Sequence, residues 1–291
     1  MTEKEQTRRQ FLQIAGIGAV ASLAGTSSSL GQVRPAPPRG GVRGRTDKQR
    51  FQLGLASYTL RKFNLDETLA MTKRVGLKYI AFKSFHLPLD SSPAQIRTAV
   101  KKVKDAGLEL YGCGVVYMGS QDQVHQAFDY AKAGGMKVII GVPKPELLPL
   151  VNRKVQEYDI KVAIHNHGPG DKIYPTPASA YERIKDLDKR IGLCNDIGHT
   201  IRAGSDPAVS AKKFADRLLD VHMKDVSEAT AKGKGIEVGR GVIDIPKFLK
   251  MLIEIKYSGI VSFEYEKDAD DPLAGLAESV GYVRGVLAAI S

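Results

Sequence analysis

Eight short runs rich in apolar and β-branched residues recur along the chain, and each is separated from the next by a stretch long enough for a helix. The runs are Gln52–Ala56, Tyr79–Phe82, Glu109–Gly114, Val138–Gly141, Lys161–His165, Ile191–Asp196, Leu218–His222 and Ile260–Glu264. Most follow a turn signal such as Val75-Gly76, Ala106-Gly107 or Gly134-Gly135, and amphipathic stretches such as Pro93–Ala106, Gln121–Ala133 and Ile245–Ile255 fill the gaps. Ser92 before Pro93 and Asp206 before Pro207 are helix start signals: a short oxygen-bearing side chain accepts a first-turn N–H, and proline has no N–H to leave unsatisfied. Alternation of this kind requires a parallel sheet with helices on its faces. No G-x-G-x-x-G turn follows the first run, which argues against a doubly wound nucleotide-binding sheet. The pattern predicts an α/β protein whose residues 51–291, about 240 in all, form one (β/α)₈ TIM barrel.

The segment before the barrel has a different character. Residues 1–32 carry a basic stretch, Thr7-Arg8-Arg9-Gln10-Phe11-Leu12, then a mildly apolar Gly/Ala-rich run from Ile14 to Ala24, the layout of a twin-arginine export signal. That run is too short for a permanent membrane span, which needs about 20 apolar residues. The expectation is export to the periplasm or another extracytoplasmic space, with no stable span after processing. Residues 33–50 are rich in Pro, Gly and Arg and read as a flexible basic linker. Residues 1–50 hold nine Lys/Arg against three acidic residues, so about half of the net charge of +11 belongs to this tail. The barrel is therefore only moderately basic, and nucleic acid is not an expected partner. Cys113 and Cys194 both sit in apolar runs and make neither a disulfide framework nor a thiolate metal site.

In a TIM barrel the active site gathers at the carboxyl ends of the strands, so the residue closing each run is the informative one. Runs five to eight close on His165, Asp196, His222 and Glu264. A lone strand-end His or Asp is usually a cap or a hydrogen-bonding group, but four ligand-type side chains on successive strands predict a divalent-metal site. Two imidazoles and two carboxylates suit Mn²⁺, Co²⁺, Zn²⁺ or Fe²⁺ better than Ca²⁺, which prefers all-oxygen shells. Side-chain alternation agrees: with these four inward, Ala163, Cys194 and Ser262 also point inward, and Ile164, Leu193, Val221 and Phe263 point outward under the helices. Asp220 is the inconsistency, because the same phase turns a carboxylate into the interior.

The motifs around these residues, Ile191-Gly192-Leu193-Cys194-Asn195-Asp196-Ile197-Gly198-His199, Asp220-Val221-His222-Met223-Lys224-Asp225, Gly239-Arg240-Gly241-Val242-Ile243-Asp244 and Tyr257-Ser258-Gly259-Ile260-Val261-Ser262-Phe263-Glu264-Tyr265-Glu266, resemble the xylose-isomerase-like TIM-barrel superfamily. That superfamily includes sugar epimerases, inosose dehydratases, hydroxypyruvate isomerases and endonuclease IV. The resemblance implies metal positions at Asp196, His222 and Glu264 and a substrate contact at His199. Lys224, two residues after His222, faces the same side and is a candidate to hold a substrate oxygen. The chain departs from the pattern at strand five, where many sugar-active relatives carry Glu-Asn-His-Gly and this chain carries His165-Asn166-His167-Gly168. A catalytic carboxylate has become an imidazole, which puts symmetric two-carboxylate epimerisation in doubt. His165 can still bind a metal or act as a base, and His167 is a candidate substrate contact.

The expected function is that of a metal-dependent sugar isomerase or epimerase, with Glu264 as base and His165 or His199 as its partner. One alternative is a lyase, hydrolase or dehydratase acting on 3-keto sugars, glycosides or inositols outside the cytoplasm; another is a non-catalytic sugar-binding barrel. The expected partner is a small sugar or sugar derivative. Tyr58, Phe85, Tyr111 and Tyr117, near strands one to three, are candidate sugar-lining aromatics, and Tyr58 is taken as a substrate contact.

Overall fold

The computed structural model describes residues 49–290; the expected export signal and almost all of the linker lie outside the described residues. Eight parallel strands close on themselves: β1 (Gln52–Ala56), β2 (Tyr79–Phe82), β3 (Glu109–Met118), β4 (Val138–Pro143), β5 (Lys161–His165), β6 (Ile191–Asp196), β7 (Leu218–Met223) and, after a short antiparallel pair β8 (Asp225–Val226) and β9 (Gly235–Ile236), the last barrel strand β10 (Ile260–Phe263). Neighbours follow chain order, and β10 returns to pair with β1, so the sheet has no open edge.

Local chemistry sets the helix boundaries. Ser92 accepts from the Gln95 N–H, and Asp206 Oδ1 accepts from the N–H groups of Ala208 and Val209 at 2.8 and 3.1 Å, so both anticipated start signals are capped helix starts with proline in the first turn. The anticipated amphipathic stretches become helices Pro93–Asp105, Gln121–Ala133 and Ile245–Glu254, each burying its apolar stripe on the barrel wall. The final helix, Leu273–Ile290, is long and apolar enough by composition to cross a membrane, but it packs Leu276, Val280, Val283 and Leu287 into the protein core.

The differences from the sequence reading concern strand ends and one small added sheet. β3 runs on from Gly114 to Met118 after a register shift against β4, and β4 runs on to Pro143, because both continue to pair beyond the barrel rim. β10 stops at Phe263; Glu264 lies one residue past it, although its N–H still donates to Met223 O at 3.2 Å. The β8–β9 pair was not foreseen, being only two residues per strand.

The wall and the lumen sort as the alternation requires. Ile164, Leu193, Val221 and Phe263 belong to the large cluster between strands and helices, whereas Ala163 and Cys194 lie in the smaller interior cluster with Tyr111, Val138 and Ile140. Asp220 is inside, 1 % exposed. At the opposite end from the site, the buried Arg217 guanidinium donates to Asp188 O and Ile191 O, both at 2.9 Å, and to Lys185 O and Leu187 O, both at 2.8 Å. This clamps the turn that feeds β6 to the start of β7.

Candidate metal centre

Each of the four anticipated donors reaches the same point because the barrel puts consecutive strand ends side by side. His165 Nε2 lies 3.1 Å from His222 Nδ1 and 3.3 Å from Asp196 Oδ2; His222 Nδ1 lies 3.1 Å from Glu264 Oε2 and 3.9 Å from Asp196 Oδ2. All four donor atoms fall within 4.8 Å of one another, and all four residues are buried. Four ligands arranged tetrahedrally at about 2.1 Å from an ion lie about 3.4 Å apart, so the observed spacing fits a first-row divalent cation. A second clue is the crowding of donors on Asp196 Oδ2, which accepts no well-aligned hydrogen bond although Lys224 Nζ stands 3.0 Å and His165 Nε2 3.3 Å away. Its companion Oδ1 accepts from the His199 N–H at 2.8 Å and caps the helix Ile197–Arg202, leaving Oδ2 aimed into the site. Cys194 also lies within reach of His165 and His222, but burial and the Asp220 carboxylate push its thiol well above the usual range, so it offers no thiolate.

Asn166 explains part of the strand-five motif. Its amide oxygen accepts from the Asp196 N–H at 3.1 Å and its amide nitrogen donates to Thr200 Oγ1 at 3.1 Å, so the end of β5 is bonded to the end of β6. Gly168 follows at φ +78°, where an added Cβ would also press on His199 O at 3.0 Å.

Charge is densely paired here. Lys224 Nζ lies 2.8 Å from Glu264 Oε2, 3.0 Å from Asp196 Oδ2 and 2.9 Å from Glu266 Oε1. It is thus a buried ammonium against the donor set. Gly198 makes room for it, since a Cβ there would stand 2.9 Å from Lys224 Cβ. Burial alone would push Glu264 up, but Lys224 and His222 outweigh it and hold the carboxyl well below its usual range; burial likewise opposes ionised Asp196, and His199, Lys224 and His165 outweigh it. For His165 burial wins, supported by His222, and its pKa drops to about 3. His167 and His199 are also lowered, chiefly by burial. His222 goes the other way: burial lowers it, but Glu264, Asp220 and Asp196 together raise it.

Two of the donors, His165 and Glu264, line a cavity of about 160 Å³ together with Tyr58, Lys83, Tyr117, His167, His199, Lys224 and Glu266, whereas Asp196 and His222 are buried and do not line it. His167 Nε2 is 3.1 Å from the Tyr117 hydroxyl and the two rings stack at 5.7 Å, while His167 Nδ1 faces Asp171 at 3.4 Å. Of the anticipated aromatics, Tyr58 and Tyr117 therefore reach the cavity. Phe85 does not line it; the ring stands outside, 56 % exposed, against Tyr58. Tyr111 must be corrected: it is buried in the barrel interior with Ala163 and Cys194, because the β3–β2 pairing skips it, Leu110 pairing with Ile80 and Gly112 with Ala81. The sequence reading missed Lys83 and Glu266. Lys83 follows the last residue of β2, and its ammonium donates to Val115 O; burial lowers its pKa, with Glu264 acting against that. The rule that selected His165 and Asp196 picks Phe82 on β2; looking one residue past the strand end would have found Lys83. A wider hollow lined by Glu237, Asp268, Asp271 and Glu278 lies elsewhere and contains no imidazole.

A family model described as xylose isomerase-like TIM barrel matches residues 46–286. The chain belongs to the xylose isomerase-like TIM barrel family. Curated relatives of this family member include rhizopine catabolism protein MocC of Rhizobium meliloti, 27 % identical over 130 residues, and an inosose dehydratase of Geobacillus kaustophilus, 29 % identical over 130 residues. These alignments cover 40 % and 39 % of this chain and only 39 % and 41 % of the relatives. Among solved structures, the barrel resembles the IOLI protein with a binding zinc atom (TM-score 0.69, 18 % identity, 81 % of this chain and 98 % of that one). It also resembles L-ribulose 3-epimerase (TM-score 0.66, 17 % identity, 82 % and 95 %). At these identities the structural matches speak for the fold.

Proposed function

We propose that this protein is a divalent-metal-dependent sugar isomerase or epimerase that removes the proton next to a carbonyl of a polyhydroxylated substrate and returns a proton to the resulting enediolate. The convergence of His165 Nε2, Asp196 Oδ2, His222 Nδ1 and Glu264 Oε2, two of whose residues, His165 and Glu264, open onto a polar cavity, carries the reading. Bound there, Mn²⁺, Co²⁺, Zn²⁺ or Fe²⁺ supplies Lewis acidity to the substrate's carbonyl and hydroxyl oxygens. Glu264 is ionised and is the proposed base, taking the carbon-bound proton on one face. His199 and His167, held neutral by burial, stand on the cavity wall as proton acceptors or hydrogen-bond partners for substrate hydroxyls. Lys224 steadies Glu264 and the developing negative charge, and Tyr58 packs against the sugar ring.

A second reading is supported by one observation: strand five brings His165 to the donor set where a carboxylate could have faced Glu264 as a second base. With a single carboxylate base, loss of a β-substituent from the same enediolate competes with reprotonation, giving a dehydratase or lyase on keto sugars, glycosides or inositols. The naming of several relatives as inosose dehydratases agrees with this chemistry for those proteins.

Both readings require the same first step, so the test is solvent deuterium. Incubation with a panel of free ketoses, 3-keto sugars and inososes in D₂O should place deuterium at the carbon beside the carbonyl, and product analysis then separates isomer from eliminated product. Turnover without exchange and without a primary isotope effect at that carbon rejects proton abstraction. Bound metal with neither exchange nor product on any substrate favours the sugar-binding alternative.

A further inference from the structure

β7 turns Asp220 and His222 to the same side, with the carboxylate one layer below the imidazole. The neighbours of Asp220 are a poor home for a carboxylate. The interior cluster of Ala81, Tyr111, Val138, Ile140, Ala163 and Cys194 is mostly apolar, with the Tyr111 hydroxyl a polar neighbour of the carboxylate, and burying an ionised group with so few partners is costly. Its Oδ1 has only long contacts from Cys194 Sγ at 3.6 Å and Ser262 Oγ at 3.5 Å, and its Oδ2 has no hydrogen-bond partner. His222 shows the complementary defect. Its Nδ1 faces Glu264 and His165, whereas its Nε2 is buried without a partner and lies 4.0 Å from Asp220 Oδ1. That gap is about 1 Å longer than an N–H···O bond, a distance a small tilt of the ring closes.

We propose that Asp220 is a positioning residue of the metal centre: its carboxylate accepts the Nε2–H of His222, fixes that tautomer, and presents the Nδ1 lone pair to the cation. The inference rests on the metal-centre reading above. It accounts for both unpartnered buried groups at once, and it gives a reason for the inward carboxylate that the alternation of β7 produces. Imidazole ligands generally hand their second N–H to a carboxylate or carbonyl, and on β7 Asp220 is the acidic side chain facing that nitrogen.

The test titrates the full chain, stripped of metal, with Zn²⁺ against a chromophoric chelator. Asp220→Ala is expected to bind Zn²⁺ about 10–100-fold more weakly than the parent, with an unchanged or higher melting temperature for the metal-free protein. Asp220→Asn keeps the shape and an acceptor oxygen, should lose less, and carries the same comparison if the alanine variant does not fold. Long-range ¹H–¹⁵N spectra of the zinc-loaded protein supply a readout that a purely structural role would not move: the parent should show His222 protonated at Nε2, and Asp220→Ala should lose or exchange-broaden that proton. Unchanged Zn²⁺ affinity and unchanged His222 ring signals in both variants would overturn the proposal. A parent protein that binds neither Zn²⁺ nor Mn²⁺ would instead overturn the metal-centre reading beneath it.

Discussion

Replacing His165 by alanine removes one of four converging donors, and the structure sets the size of the effect. A four-ligand zinc site is worth about 10–16 kcal/mol at neutral pH, so one ligand carries about 2.5–4 kcal/mol, or roughly 10²–10³ in dissociation constant. No proton release offsets that loss, because burial keeps His165 unprotonated down to about pH 3 and its nitrogen is available to the cation throughout the neutral range. The neighbours cannot easily substitute. His167 is engaged with Tyr117 and Asp171, and its ring centroid lies 4.5 Å from that of His165. Competition with a chromophoric chelator at pH 7.5 should therefore show Zn²⁺ binding weakened by about 10²–10³ in His165→Ala and by less than about tenfold in His167→Ala. If His165→Ala binds within threefold of the parent, the assignment of His165 as a ligand is wrong. A large loss in His167→Ala alone would move the ligand to that residue without disturbing the fold.

Glu264→Gln keeps an oxygen for the metal but removes the base, so turnover should fall by about 10²–10⁴ or more while Zn²⁺ content measured by elemental analysis is largely kept; loss of metal and activity in strict parallel would mean Glu264 is only a ligand. Because Glu264, Asp220 and Asp196 raise His222 above its ordinary pKa of about 6.5, its proton must leave for the cation to bind, so Zn²⁺ affinity should drop as pH falls through that raised value. The Zn²⁺-induced gain in melting temperature should then be smaller at pH 6 than at pH 8, and an equal gain refutes the argument. Arg217→Met removes the donor to four carbonyls, one buried and three part-buried, and should cost about 4 kcal/mol, or about 10 °C in melting temperature for a domain of this size; a shift under 3 °C would show that water replaces the guanidinium. Export by the proposed twin-arginine signal predicts that replacing Arg8 and Arg9 together by lysine leaves precursor in the cytoplasm, which fractionation and blotting would reveal.

The barrel and its ligand-bearing strand ends were legible because two simple periods coincide. Punctuation by turn residues marked eight strands, and alternation within them assigned His165, Asp196 and His222 to one face. What stayed hidden depends on neighbours far away in sequence. The continuation of β3 past Gly114 follows from pairing with β4, which no window of local sequence contains. Tyr111 was mistaken for a rim residue because proximity to a strand end does not reveal depth in the barrel. Asp220 seemed an error in the phase and is in fact buried inside, its role visible only once the free nitrogen of His222 is located above it. Lys83 was overlooked because it lies one residue past the run Tyr79–Phe82, whose closing residue is an apolar Phe82.

The bonds that Asn166 makes to the end of β6 have a consequence for ion choice. They join the two strands that carry His165 and Asp196 through main chain and amide, so the span between these donors is a dimension of the scaffold and does not adjust freely to its occupant. A cation preferring ligand distances of about 2.3–2.6 Å, as Ca²⁺ does, would have to pry that joint apart. Ions with contacts near 2.1 Å meet no such resistance. In the proposed metal centre, selection by size would thus rest on a side chain outside the donor set.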